Sequence, residues 1–164
     1  MKITHIYIGS DHGGFELKQN LADWLRKENF SITDCGATEL NPEDDYPEFA
    51  KRVSQPISDQ AESPTQDPTV VGILLCRSGV GMAMVANRFS SVRAAVCRNL
   101  EEASLARRHN NANVLVLEGD HLSPDLAREI AEIFFTTEFD GERHARRLEQ
   151  IGQIDEQKTS TVIS

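Results

Sequence analysis

Along the 164 residues, short runs of β-branched and aliphatic residues alternate with longer amphipathic stretches. ITHIYIG is followed by FELKQNLADWLRKEN, SITDCG by YPEFAKRVSQPIS, and VVGILLC by GMAMVANRF. VRAAVC then leads into LEEASLARRHN, and ANVLVLE into PDLAREIAEIFFTTEF, so a strand and helix unit recurs five times. Near-continuous apolar runs mark strands buried on both faces, and helices of this length are natural right-handed crossovers. The pattern predicts an α/β fold, a Rossmann-like three-layer αβα sandwich around a five-stranded parallel sheet.

Turn and cap residues punctuate this pattern. Ser123-Pro124 reads as an N-cap with proline at the first helical position, and Asp140-Gly141 as a break before an extra C-terminal helix through ERHARRLEQIGQIDEQ. QPISDQAESPTQDPT carries three prolines and neither period, so residues 53–69 are expected to form a mobile surface loop. One domain is expected over 1–157, with a flexible tail at 158–164. No internal repeat is visible.

Composition narrows the function. A chain of this length with 39% hydrophobic residues can bury one real core. Its net charge of −9, with no block of Lys and Arg, excludes nucleic acid and an acidic membrane surface as partners, because both need a concentrated positive field. No apolar stretch has the length of a signal peptide or a membrane span, so a soluble cytoplasmic protein is expected. Cys35, Cys76 and Cys97 stand singly without metal-ligand spacing, which indicates neither zinc nor a disulfide framework.

In an open parallel sheet, ligands bind beyond the carboxyl ends of the strands. SDHGG offers Asp11 and His12 after strand one, and CRSGVG offers Cys76, Arg77 and Ser78 after strand three. RRHNN offers His109 and Asn110 beside strand five, and all are expected on one rim. The SGVG turn runs into a helix, so its amides would form an anion-binding nest that favours a thiolate at Cys76. A thiolate beside an oxyanion hole suits proton abstraction next to a carbonyl, with Ser78 relaying a proton between oxygens.

Each element also has a plainer reading. Cys76 could be a small apolar strand end, Asp11 a helix cap, His109-Asn110-Asn111 a helix stop, and RHARR a solvated face. Three rivals fail by counting. A cysteine phosphatase needs an arginine six positions after the thiol, where Met82 stands; SDHGGFEL is not a dinucleotide fingerprint; and no GxxxxGK[ST] is present.

The ordered set GSDHGGFELK, DYPEFA, GILLCRSGVGMAMVANRF, VRAAVC, ARRHNNANVLVL and RHARRLE covers residues 3 to 155. It resembles the type B ribose-5-phosphate isomerases and their galactose-6-phosphate and allose-6-phosphate relatives. The resemblance implies an aldose–ketose isomerase of a phosphorylated sugar without metal or nucleotide cofactor. It also implies a homodimer with active sites shared between subunits, paired into tetramers in some members. By position, Cys76 would be the base between C1 and C2, with Ser78 beside the reacting oxygens. His109 would open the furanose ring, with Asp11 at the ring oxygen and Asn110 on a sugar hydroxyl. His12, Arg143 and Arg147 would bind phosphate, the arginines from across the dimer. Tyr46 would close the pocket, and Gly79, Val80 and Gly81 would supply oxyanion amides.

Two departures stand out. Arg77 follows the cysteine where the family has glycine, and NVLVLEGD places Glu118 at a usual glycine and Asp120 at a usual phosphate-reaching arginine. Arg77 would then join the substrate site and partly compensate. Ribose 5-phosphate is the leading substrate. Another tetrose, pentose or hexose phosphate, or a non-catalytic sugar-phosphate binding protein, is the alternative.

Overall fold

The computed structural model describes residues 2–61 and 63–162, with side chains as far as Ile154. Five parallel strands form one sheet: β1 (His5–Ser10), β2 (Ile32–Asp34), β3 (Val70–Cys76), β4 (Ala94–Val96) and β5 (Val114–Glu118), in the order β2-β1-β3-β5-β4. Between and after them run α1 (Phe15–Lys27), α2 (Tyr46–Asp59), α3 (Val80–Ala86), α4 (Leu100–Asn110), α5 (Pro124–Thr136) and α6 (Glu142–Val162). This is the predicted three-layer α/β sandwich with its extra C-terminal helix.

The strand period explains both layers. On β3, Val71, Ile73 and Leu75 face a core shared with α1, α4 and α5, while Leu74 and Cys76 face the core under α2 and α3. On β5, Leu115 and Leu117 join the first core, and Val114 and Val116 the second. A strand with partners on both faces has no polar positions to show, hence the unbroken apolar runs. No helix of the described residues is long and apolar enough to cross a membrane.

The loop expected over 53–69 starts later than its prolines suggested. Helix α2 continues to Asp59 with Pro56 inside it, because Phe49, Val53 and Ile57 repeat at helical spacing and are all buried. Pro56 gives up one backbone bond. The packing of that face outweighs the loss. The remaining loop is anchored rather than free: buried Asn111 donates to the carbonyls of Pro64 at 2.9 Å and Gln66 at 2.6 Å, and Arg107 pairs with Asp67 at 2.6 Å. Helix α6 is assigned through Val162, so most of the expected tail is helical in backbone; residues 163 and 164 lie outside the described residues.

Candidate active site

The chain leaves β1 toward β2 on one side, and the rest of the sheet builds on the other side from β3. The crevice between the carboxyl ends of β1 and β3 is therefore the switch point of the sheet. Ser10 lies opposite Leu75 in the register, so Asp11 and Cys76 follow as the next residues on adjacent strands. Asp11 does cap the first turn: its Oδ1 accepts the Gly13 N–H at 2.9 Å and the Gly14 N–H at 3.2 Å. Burial raises its carboxyl above the ordinary 3.8, against the charge of His12 and the two amides that pull it down.

Cys76 is buried at the end of β3, and its Sγ accepts the Gly79 N–H at 3.2 Å. That N–H comes from the turn that leads into α3. Gly79 makes this turn at φ 75°, a left-handed conformation that suits glycine. Ser78 is exposed beside it, its Oγ accepting the Val80 N–H at 3.4 Å. Tyr46, the first residue of α2, lies against Gly81: a Cβ there would stand 2.8 Å from the ring. Tyr46, Cys76 and residues 78–81 thus share the α2 and α3 side of the crevice.

His12 has a partner that the sequence reading missed. Asp44 Oδ1 accepts the His12 backbone N–H at 3.1 Å and lies 2.6 Å from His12 Nδ1. The Asp44 side chain is 10% exposed, and its other oxygen, Oδ2, is buried with no hydrogen-bond partner among the described residues. A buried carboxylate oxygen left unmatched costs free energy unless a ligand or water answers it. The only signal in the sequence was the doubled acid before Tyr46-Pro47, which reads as an ordinary helix start.

His109 and Asn110 do not join this rim within one chain. They end α4, which returns to the amino edge of the sheet, opposite Cys76. The next residues confirm that edge: Asn113 O accepts the Gly72 N–H at 2.8 Å, and Asn113 Oδ1 accepts the Arg93 N–H at 2.8 Å. The expectation of a single rim is corrected on this point, because a residue that precedes a parallel strand enters at its amino end. His109 instead meets α6. Its ring stacks on buried His144, with Asp140 Oδ2 4.0 Å from its Nε2. Arg143 Nε donates to His144 Nε2 at 3.3 Å, and Arg143 and Arg147 are exposed one helical turn apart.

Two trios bring metal-ligating atoms within 4.8 Å of one another, His109 with Asp140 and His144, and Asp11 with His12 and Asp44. In each, one histidine nitrogen already has a hydrogen-bond partner, Arg143 or Asp44.

The two unusual residues meet. Arg77 Nη1 is 3.6 Å from Asp120 Oδ1, and the Asp120 N–H donates to the Arg77 carbonyl at 3.3 Å. Glu118, the other residue of the second departure, receives Arg98 Nε at 3.2 Å.

A sulfur at a sheet switch point, cradled by a glycine turn and flanked by carboxylate and imidazole, belongs to α/β enzymes that move protons on small polar substrates. The particular family follows from comparison: the chain belongs to the ribose/galactose isomerase family, whose pattern matches residues 6–151. It is therefore a sugar-phosphate isomerase by family. A ribose 5-phosphate isomerase from Thermotoga maritima is 41% identical, with a TM-score of 0.83 over 92% of this chain and 98% of that one. Ribose-5-phosphate isomerase B from Mycoplasma genitalium, solved with bound ribulose-5-phosphate, is 33% identical, with a TM-score of 0.88 over 95% and 99%. D-erythrulose-4-phosphate isomerase from Pectobacterium atrosepticum is also 33% identical, over 93% of this chain and 96% of its own.

Proposed function

We propose that this isomerase interconverts ribose 5-phosphate and ribulose 5-phosphate, with Cys76 as the base. The observation that carries this reading is the Cys76 sulfur at the switch point with the Gly79 N–H donating to it. In the open-chain aldose, the thiolate takes the proton from C2 and the C2–H electron pair forms the C1–C2 double bond. The carbonyl π pair moves to O1, giving an enediolate held by the amides of Val80 and Gly81 at the start of α3. Ser78 passes the O2 proton to O1, and the Cys76 thiol returns its proton to C1, leaving the ketone at C2. Oxidation of C2 is balanced by reduction of C1, so no external electron carrier enters.

The site is completed by a second copy of the chain. His109, Asn110, Arg143 and Arg147 lie at the other edge of the sheet, and they would bring a ring-opening imidazole and further phosphate-binding cations to the rim of a second copy. An apolar groove lined by Phe89, Val92, Ala94, Leu148 and Ile151 runs beside α6, where a partner would dock. A homodimer with shared sites brings the two halves together.

A four-carbon substrate is the second reading, favoured by the Pectobacterium relative being as similar as the ribulose-5-phosphate-bound enzyme. An isomerase assay over tetrose, pentose and hexose phosphates, with Cys76→Ala as the blank, decides between them. Turnover of ribose 5-phosphate that disappears in the variant is the expected result. Turnover of another sugar alone, or an unaffected variant, overturns it.

A further inference from the structure

We propose that Arg77 is the rim's phosphate-gathering cation and that Asp120 is its built-in competitor, holding the guanidinium until a phosphate dianion takes it. The inference rests on the isomerase reading above and deepens it by naming what selects the substrate's charged end.

The Arg77 stem is fixed and its head is not. A Cβ added at Gly13 would meet Arg77 Cγ at 2.5 Å and Arg77 N at 2.9 Å, so the stem lies tight over the β1 turn that carries Asp11 and His12. The Asp120 N–H on the Arg77 carbonyl and the Gly119 N–H on the Cys76 carbonyl at 2.7 Å tie this segment to the β5 turn. The Arg77 side chain is nevertheless 67% exposed, and its Asp120 partner 40%. At 3.6 Å and this exposure the pair is a weak one, of the kind that contributes little in water.

Other basic side chains near the strand ends face more buried carboxylates. His12 is 2.6 Å from Asp44, and Arg98 is 3.2 Å from Glu118, whose other oxygen is 3.8 Å from His121. Asp11, Asp44, Glu118 and Asp120 surround them, so a phosphate dianion meets a rim with four carboxylates. Arg77 is the basic side chain there whose partner is the most exposed, Asp120 at 40% against 10% for Asp44 and 15% for Glu118. A phosphate offers its fork two oxygens in one plane and two negative charges against one for Asp120, so exchange is downhill. Neutral sugars and sugars ending in a single carboxylate gain much less from it.

The test measures inorganic phosphate binding by calorimetry, and KM and kcat for ribose 5-phosphate, on the full-length protein. Arg77→Met keeps the stem over Gly13 and removes the charge. It is expected to weaken phosphate binding and raise KM by about 10- to 100-fold with kcat little changed. Arg77→Lys restores part of the loss, as a point charge without the fork. Asp120→Asn removes the competitor and tightens phosphate by up to about 5-fold. Unchanged phosphate binding in Arg77→Met overturns the proposal, as does an Asp120→Asn variant as weak as Arg77→Met, which would make the pair a mere brace. Arg77-dependent phosphate binding in a protein that fails to isomerise ribose 5-phosphate keeps this inference and removes the substrate reading.

Discussion

The imidazole rings of His109 and His144 lie parallel, 2° apart in tilt and 4.4 Å between centroids. His144 is the buried member, and its Nε2 accepts from Arg143. Burial, followed by the charges of His109, Arg143 and Arg147, keeps its pKa below the ordinary 6.5, with Asp140 pulling the other way. The unfolded chain therefore takes up the proton first as pH falls. The contribution of His144 to stability is complete above about 6.5 and is lost as pH drops from there through its lower folded value. Urea unfolding between pH 7.5 and 5 is expected to show a shallower pH slope in His144→Gln than in the wild type. Identical slopes would mean His144 titrates as it does in the unfolded chain.

Cys76→Ala is expected to lower kcat on the sugar phosphate by about 100- to 10,000-fold, the usual range for losing a positioned base. Binding of the sugar phosphate should change little, because the proposed mechanism uses the sulfur on a carbon-bound hydrogen and not on the phosphate. Steady-state kinetics together with calorimetry on the same preparation checks both halves. Retained turnover would take the proton-transfer role away from Cys76.

The sheet and its layers were legible because a doubly buried strand leaves a run of aliphatic residues that nothing else in the chain imitates. VVGILLC and ANVLVLE are such runs, and the rim around Cys76 follows from where they end. The amphipathic stretch YPEFAKRVSQPIS and the proline-marked loop of 53–69 overlap in the sequence, and the buried spacing of Phe49, Val53 and Ile57 decides for the helix as far as Asp59. His109 was placed on the wrong edge because closeness to a strand in sequence does not say which end of it. Asp44 was invisible: its role comes from a contact across 32 residues, and no local pattern encodes that. The Arg77 and Asp120 pair was visible as two oddities but not as one, since only the adjacency of β3 and β5 brings them together.

Because Cys76 and His109 lie at opposite edges of one sheet, a site containing both draws them from different subunits. Cys76→Ala and His109→Ala homodimers are each expected to be poor on the cyclic pentose phosphate. Mixed, unfolded and refolded together, they form hybrids in which one site carries both defects and the other neither. About a quarter of wild-type activity should return at equal mixing, since half the dimers are hybrids with one intact site each. No recovery, with hybrids confirmed by mass spectrometry, would place both residues in one subunit's site. An outward-facing charge on α6, Ile151→Asp, should shift the protein to monomers in size-exclusion chromatography and take the activity with it.

Gly119 joins the three turns of the rim, and its lack of a side chain is what allows this. A Cβ there would stand 2.3 Å from the Gly13 carbonyl oxygen and 3.1 Å from the Gly14 Cα, both backbone atoms that cannot rotate away. Its N–H holds the Cys76 carbonyl at 2.7 Å. Gly119→Ala must therefore push the β5 turn off the β1 turn and stretch the bond to Cys76. Overpacking of this kind costs about 1–3 kcal/mol, and the strain falls on the Cys76 turn. The variant should melt lower and lose kcat together. Gly141→Ala gives the contrast: its Cβ meets nothing within 4 Å, so its cost comes from its φ of 68° alone and bears on α6 instead of the Cys76 turn. Thermal melts and kinetics on the pair should separate the two, with kcat per folded molecule lowered through Cys76 only in Gly119→Ala. Equal kcat in Gly119→Ala and the wild type would show that the Cys76 turn keeps its geometry without the contact to β1.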